Sequence, residues 1–496
     1  MSQTLPNWLS HRAAVARDHP ALLSGATRWT FAELDRRASE NARALLALGA
    51  GGGRVALLLR NSPEFVALAH AAPRAGAALV PLNARLVAPE LAWQLADSGA
   101  RLLIYDAEHA PLAESALRLV PAPPPGCAVA DLPLASGDVQ LQQTIDLSEI
   151  STIIYTSGTT GRPKGAMLTY GNYWWSAVGS ALNLGSHADD RWLAVMPLFH
   201  VGGLSILARA AIYGITAIVQ PAFDPAAVDR AIDDEGVTIV SVVSTMLQRM
   251  LDQRGARPYP PTLRCVLLGG GPAPRPLLEA CAARGLPVVQ TYGLTEATSQ
   301  VATLAPADAL RKLGSAGQPL LPTELRIERD DAPAAPGQVG EILVRGPTVM
   351  AGYANLPDET AHALRGGWLH TGDLGYLDDE GYLYVVSRRQ DLIISGGENV
   401  YPAEVEAALL AHPAVADVAV LGVPDARWGE IVAAFVRLRP GMALDEPTAI
   451  AFCRERLAGY KAPKRVRFVD ALPRNAGGKV LRQQLREMLA EHSDSG

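Results

Sequence analysis

The stretch that most constrains this chain is Tyr155-Thr156-Ser157-Gly158-Thr159-Thr160-Gly161-Arg162-Pro163-Lys164-Gly165. Four hydroxyl side chains between Thr156 and Thr160, three glycines and one lysine fall within this stretch, and it continues the apolar run Ile153-Ile154-Tyr155. Such a run reads as the end of a buried strand. Glycines let backbone N–H groups converge on an anion, hydroxyls add donors, and Lys164 brings a full positive charge. Pro163 keeps the loop from continuing as a helix. The plainer alternative is a solvated Gly/Thr turn. A Walker A loop needs Gly-Lys-Ser/Thr at its end, whereas Lys164 lies between Pro163 and Gly165, so that reading fails. A loop built this way suits polyphosphate, with the solvated turn as its alternative.

Thr156 to Gly165 resembles the phosphate-binding signature of the adenylate-forming superfamily: acyl- and aryl-CoA ligases, adenylation domains and luciferases. Later motifs extend the resemblance over nearly the whole chain in the family's order. It implies a large α/β N-terminal domain of layered subdomains with a small antiparallel β part, then a mobile α+β C-terminal domain. The expected division is 1–389 and 391–496, with the hinge near Gln390. It also implies ATP, Mg²⁺ and coenzyme A as cofactor and co-substrates.

The local pattern agrees with that architecture. Thr30 and Glu33 form a capping-box signal for a helix stopped near Gly49. Asn61-Ser62-Pro63-Glu64 opens a second helix, predicted to reach Gly76 with Pro73 as an unexplained breaker. Strand-type runs at Val55–Leu59 and Ala78–Val80 complete a βαβ unit, and Leu102–Tyr105 reads as a further strand. Residues 106–146 give no clear pattern. Tyr170–Leu184 reads as a helix. Strand-type runs at 215–219, 239–243, 263–268 and 288–289 empty into Gly-rich or motif loops, which indicates a parallel layer with its ligand at the strands' C-terminal ends. Beyond Gly314 the runs alternate around tight turns such as Asp378-Asp379-Glu380-Gly381, an antiparallel texture. A charged helix follows Lys479.

Activating a carboxylic acid with ATP brings two anions together, so the site needs cations and aligned donors. Through the resemblance, Thr156, Ser157, Gly158, Thr159, Thr160, Gly161 and Lys164 hold the triphosphate. Glu296, in Tyr292-Gly293-Leu294-Thr295-Glu296, holds Mg²⁺ with Thr160; a first-turn helix acid is its bland alternative. Tyr292 with Gly270 and Gly271 makes an adenine slot. Asp373, otherwise an ordinary turn aspartate, takes the ribose hydroxyls with Arg388. Lys479 in Asn475-Ala476-Gly477-Gly478-Lys479 matches the mobile catalytic lysine, with Lys164 and Glu296 as the other catalytic groups. Ser395-Gly396-Gly397 matches the loop lining the pantetheine tunnel. His200, which could equally be a packed core residue, becomes an aromatic gate at the acyl pocket.

Within the superfamily, the stretches 170–185, 190–214 and 295–300 look most like the o-succinylbenzoate–CoA ligases of menaquinone synthesis. That acid is activated at its succinyl carboxylate and keeps an aromatic one, so the pocket must satisfy a second anion. Arg209, Ser299 and Gln300 are candidate donors, beside Gly202, where some relatives have serine. A general fatty or aryl acid–CoA ligase is the alternative. A non-catalytic nucleotide- or acyl-binding relative is disfavoured because Lys164, Glu296 and Lys479 are all present.

A net charge of -6 gives no reason to expect nucleic acid. Four scattered cysteines show no metal spacing, and no run approaches the roughly 18 apolar residues of a membrane span. The N-terminus lacks a signal-peptide core and the C-terminus a peroxisomal tripeptide. A cytoplasmic enzyme acting on a small carboxylic acid and CoA is therefore expected. A homo-oligomer is compatible with this sequence.

Overall fold

The capping signals act where they were read. In the computed structural model, which describes residues 3–134, 139–156, 163–270, 275–309, 311–387, 392–473 and 480–490, the Glu33 N–H donates to Thr30 Oγ1 (3.2 Å). Thr30 N–H returns a bond to the Glu33 carboxylate (2.8 Å) at the start of helix Phe31–Ala47. The next helix, Pro63–Ala71, is capped by Ser62. It stops five residues short of Gly76, because Ala72–Ala75 forms a 3₁₀ turn with Pro73 in its first positions, where a missing N–H costs nothing. Thr169 and Asn172 make a reciprocal cap for helix Tyr170–Leu184 (3.0 and 2.8 Å).

The described residues of 1–84, 92–155 and 165–387 form one compact unit; those of 85–91, 156–164 and 388–496 form a second. In the first, a seven-stranded sheet runs Gly352–Tyr353, Lys164–Thr169, Ile150–Thr156, Ala78–Pro81, Arg54–Leu58, Leu102–Tyr105, Gly126–Ala128. A nine-stranded sheet has six parallel neighbours at its centre, from Val288–Leu294 through Cys265–Leu268, Ile239–Val242, Arg191–Ala194 and Thr216–Val219 to Pro20–Ser24. Side chains of both sheets (Val55, Leu79, Leu22, Trp192) share one core with helix residues Phe31, Phe65 and Leu204. Glu324–Arg329, Gly340–Arg345, Leu369–Leu377 and Leu383–Ser387 build the antiparallel part. The α/β class is thus observed. Residues 106–146, which carry no clear sequence pattern, hold helix Ala110–Leu119 and two short strands, Gly126–Ala128 and Thr144–Asp146.

One reading is corrected. Val288-Val289 does not lead into a loop and helix. The strand continues to Leu294, makes only a 3₁₀ turn over Thr295–Ala297, and returns antiparallel as Ser299–Thr303. The motif around Tyr292 is therefore a strand, and Glu296 is in no α-helix.

In the second unit, Glu398–Val400, Ile393–Ser395, Gly429–Leu438 and Val415–Asp425 form a sheet joined by parallel Arg465–Phe468. Helices Pro402–Leu410, Glu446–Arg454 and Arg482–Ala490 complete it. Lys461, 3% exposed, bridges Glu90 and Glu404 at 2.7 Å each.

Candidate active site

Two tyrosines organise the carboxylates of the first unit. Tyr292 Oη donates to Asp373 Oδ2 at 2.7 Å, with both side chains buried. Asp373 sits within strand Leu369–Leu377 and not in a hairpin turn, and its N–H donates to Thr371 Oγ1 (3.1 Å). The half-buried Glu296 carboxylate accepts from Tyr353 Oη at 2.9 Å. Sequence reading missed Tyr353.

Glycine is needed where this region crosses itself. A Cβ on Gly293 would run into the Ser299 carbonyl, at the bulge between Tyr292 and Gly293. Thr298 and Ser299 both take positive φ (53° and 81°), a conformation that side chains rarely adopt. Thr298 is held there by its own hydroxyl on Thr348 O (2.8 Å) and by Ser176 Oγ, which donates to Thr298 O (2.7 Å). Gly270 has φ 80°, and its Cβ would stand 2.9 Å from Val243.

Arg209 projects from helix Val201–Tyr213, which begins directly after His200. The glycines at its start are steric: a Cβ on Gly203 would meet the Pro197 carbonyl, and one on Gly202 would stand 2.9 Å from the Met196 methyl. His200 packs on Phe199 with ring centroids 4.6 Å apart. Asn61, counted above with a helix start, instead holds this loop: its amide donates to Met196 O (3.0 Å) and accepts from Leu198 N–H (2.8 Å).

The Arg209 side chain is 2% exposed. It donates to Ser176 Oγ (3.1 Å) and lies 5.4 Å from the Trp192 ring centroid, but its Nε has no hydrogen-bond partner, and among the described residues no carboxylate is within ion-pair distance. Burial pulls its pKa below the usual arginine value. Gln300, also 2% exposed, has neither amide atom hydrogen-bonded. Its strand packs against helices Tyr170–Leu184 and Val201–Tyr213. Arg209 and Ser299 are linked through Ser176 and the Thr298 carbonyl.

Thr156 and Lys164 fall in the second unit, where Thr156 Oγ1 donates to Lys164 O (3.4 Å) and Lys164 is 7% exposed. Ser395 ends one strand of a hairpin whose turn is Gly396-Gly397, both at positive φ (60° and 84°), as a tight two-residue turn requires. Gly396 N–H donates to Trp428 O (2.8 Å), and a Cβ there would stand 2.8 Å from the indole. Ser157, Gly158, Thr159, Thr160, Gly161, Gly271, Arg388, Gln390 and Lys479 lie outside the described residues. Among the described residues no cluster of three or more His, Cys, Asp or Glu could cage a metal. One carboxylate such as Glu296 together with substrate phosphates is a donor set that suits Mg²⁺. No described helix is long and apolar enough to cross a membrane.

The AMP-binding enzyme family matches residues 9–354, and the AMP-binding enzyme C-terminal domain matches 404–479. The chain belongs to the AMP-binding enzyme family. Among family members, a 2-succinylbenzoate–CoA ligase of Geobacillus kaustophilus is 55% identical over 98% of both chains. The o-succinylbenzoate CoA synthetase of Bacillus subtilis, as a double mutant bound with a product analogue, superposes with a TM-score of 0.93 at 44% identity, covering 98% of this chain and 99% of that one. The same Bacillus enzyme in complex with ATP and magnesium ion gives 0.76 at 44% identity, over 98% and 100%.

Proposed function

We propose that this AMP-binding enzyme is an o-succinylbenzoate–CoA ligase. The succinyl carboxylate attacks the α-phosphorus of ATP and expels pyrophosphate. The CoA sulfur then attacks the acyl carbon and expels AMP. Thr156 to Gly161 and Lys164 bind the triphosphate; Gly270, Gly271, Tyr292, Gly293 and Thr295 line the adenine slot, and Asp373 with Arg388 takes the ribose. Glu296 and Thr160 would hold Mg²⁺, which when bound screens the triphosphate's charge. Lys479 places its ammonium where charge gathers in the first step. Ser395, Gly396 and Gly397 guide the pantetheine arm, and a hinge at Gln390 between 1–389 and 391–496 exchanges the two faces. His200 and Gly202 border the acyl chain.

The observation that carries the choice of acid is Arg209. A buried guanidinium without a carboxylate partner is expensive, and an aromatic carboxylate on the substrate relieves that cost. Gln300 and Ser299 stand ready as further donors. Purified protein given ATP, Mg²⁺, CoA and o-succinylbenzoate should form AMP, pyrophosphate and thioester. It should prefer that acid to octanoate or benzoate by about 10⁴-fold in kcat/KM, the scale seen when a site built to pair a polar group meets an analogue lacking it. Release of ADP would overturn the reaction, and equal activity on octanoate would favour a general acyl–CoA ligase.

A further inference from the structure

Residues 346–354 form a strap whose backbone reaches several parts of the site. Asn172 Nδ2 donates to Pro347 O (2.8 Å) and Val349 O (2.9 Å). Thr298 Oγ1 donates to Thr348 O, and Met350 N–H donates to the Glu296 carbonyl (2.9 Å). Further on, Ala351 N–H donates to Met167 O (2.9 Å) and Ala354 N–H to Gly165 O (2.8 Å), so Tyr353 is paired opposite Ala166 on the strand that leaves the phosphate loop. Tyr353 N–H donates to Thr360 Oγ1 (2.9 Å), which fixes the residue from its other side. From this anchored position, 8% exposed, the phenol reaches Glu296 Oε1 at 2.9 Å.

A glutamate at the centre of a single 3₁₀ turn has three side-chain torsions and no α-helix to restrain it. A hydrogen bond from a rigid, neutral donor fixes the carboxylate plane and leaves its negative charge in place. Outer partners of this kind orient a metal-binding carboxylate and support affinity. We infer that Tyr353 is a positioning residue: its hydroxyl orients Glu296 toward a divalent cation and ties that orientation to the strand carrying Gly165. The inference rests on the proposed role of Glu296 as a cation ligand.

The test uses the full-length enzyme with ATP and no acid, and follows Mn²⁺ binding by its electron paramagnetic resonance signal in wild type, Tyr353→Phe and Glu296→Gln. Tyr353→Phe keeps the ring and removes one hydrogen bond to a charged group, so Mn²⁺ affinity should fall roughly tenfold, the scale of such a bond. In steady state the Mg²⁺ concentration for half-maximal adenylation should rise by a similar factor. The thioester half-reaction from synthetic acyl-adenylate and CoA should keep its rate, which a general packing defect would not allow. If Glu296→Gln weakens Mn²⁺ while Tyr353→Phe binds it as wild type does, the positioning role falls and the reading of Glu296 stands. If Glu296→Gln itself leaves Mn²⁺ affinity unchanged, both fall.

Discussion

On the proposed nucleotide side, Tyr292 donates to Asp373 at 2.7 Å and Tyr353 to Glu296 at 2.9 Å, so each carboxylate has a neutral donor from the protein. On the proposed acyl side, Arg209 Nε and both amide atoms of Gln300 are buried without a hydrogen bond among the described residues. A ligand meeting the first pair shares acceptors that are already engaged, so its gain per contact is modest. A ligand meeting the second pair relieves groups whose need is otherwise unmet, and each unmet buried group costs about 1–3 kcal/mol, more if charged. The nucleotide half can therefore be firm without being selective for the acid. On the proposed assignment, selectivity for the acid belongs to the side that carries the unmet polar groups.

The widest separation of the two halves should come from Arg209→Met, which keeps the buried stem and deletes the charge. With o-succinylbenzoate, kcat/KM should fall by about 10³-fold or more, while 3-benzoylpropionate, the same skeleton without the aromatic carboxylate, should change by less than about threefold. An equal loss on both acids would mean that Arg209 supports the fold and does not read the substrate.

Asp373→Ala should do the reverse. Loss of the proposed acceptor for two ribose hydroxyls, each bond to a charged group being worth about 1.5–3 kcal/mol, should raise the KM for ATP by about 10²-fold or more with either acid. Tyr292→Phe is the milder form of the same test. It keeps the aromatic face and removes only the bond to Asp373, so the KM for ATP should rise by about three- to tenfold. If either change altered the preference between the two acids, the halves would not be separable.

The legible parts of the sequence were those in which cause and effect lie within a few residues. Thr30 with Glu33 and Ser62 with Pro63 each dictate a local geometry, and the structure has it. Helix Val201–Tyr213 was hidden by Gly202-Gly203, since glycine weakens a helix; only the close approach of Met196 and Pro197 explains their presence. Tyr353 was unreadable for another reason. It lies 57 residues from Glu296 on a two-residue strand, and no periodicity announces which side chains meet across that distance. Asn61 likewise looked like helix punctuation until a loop 135 residues away was found on its amide. Arg209 was readable as a donor, but its burial and, among the described residues, its lack of an acidic partner exist only in three dimensions.

A small shift in stability tests the unmet need itself. Gln300→Leu replaces a buried amide by an apolar side chain of similar volume. If neither amide atom is paired in the protein, the change removes a desolvation penalty and loses no bond. The melting temperature measured without substrate should stay level or rise by about 1–3 °C, because a chain of this size moves only a few degrees per kcal/mol. Activity on o-succinylbenzoate should meanwhile fall by about tenfold, the loss of one donor to a carboxylate. Stability gained together with selectivity lost is what a residue kept for its ligand should show. A melting temperature lowered by several degrees would mean that the amide is paired within the fold, and the contrast between the two halves would then rest on Arg209 alone.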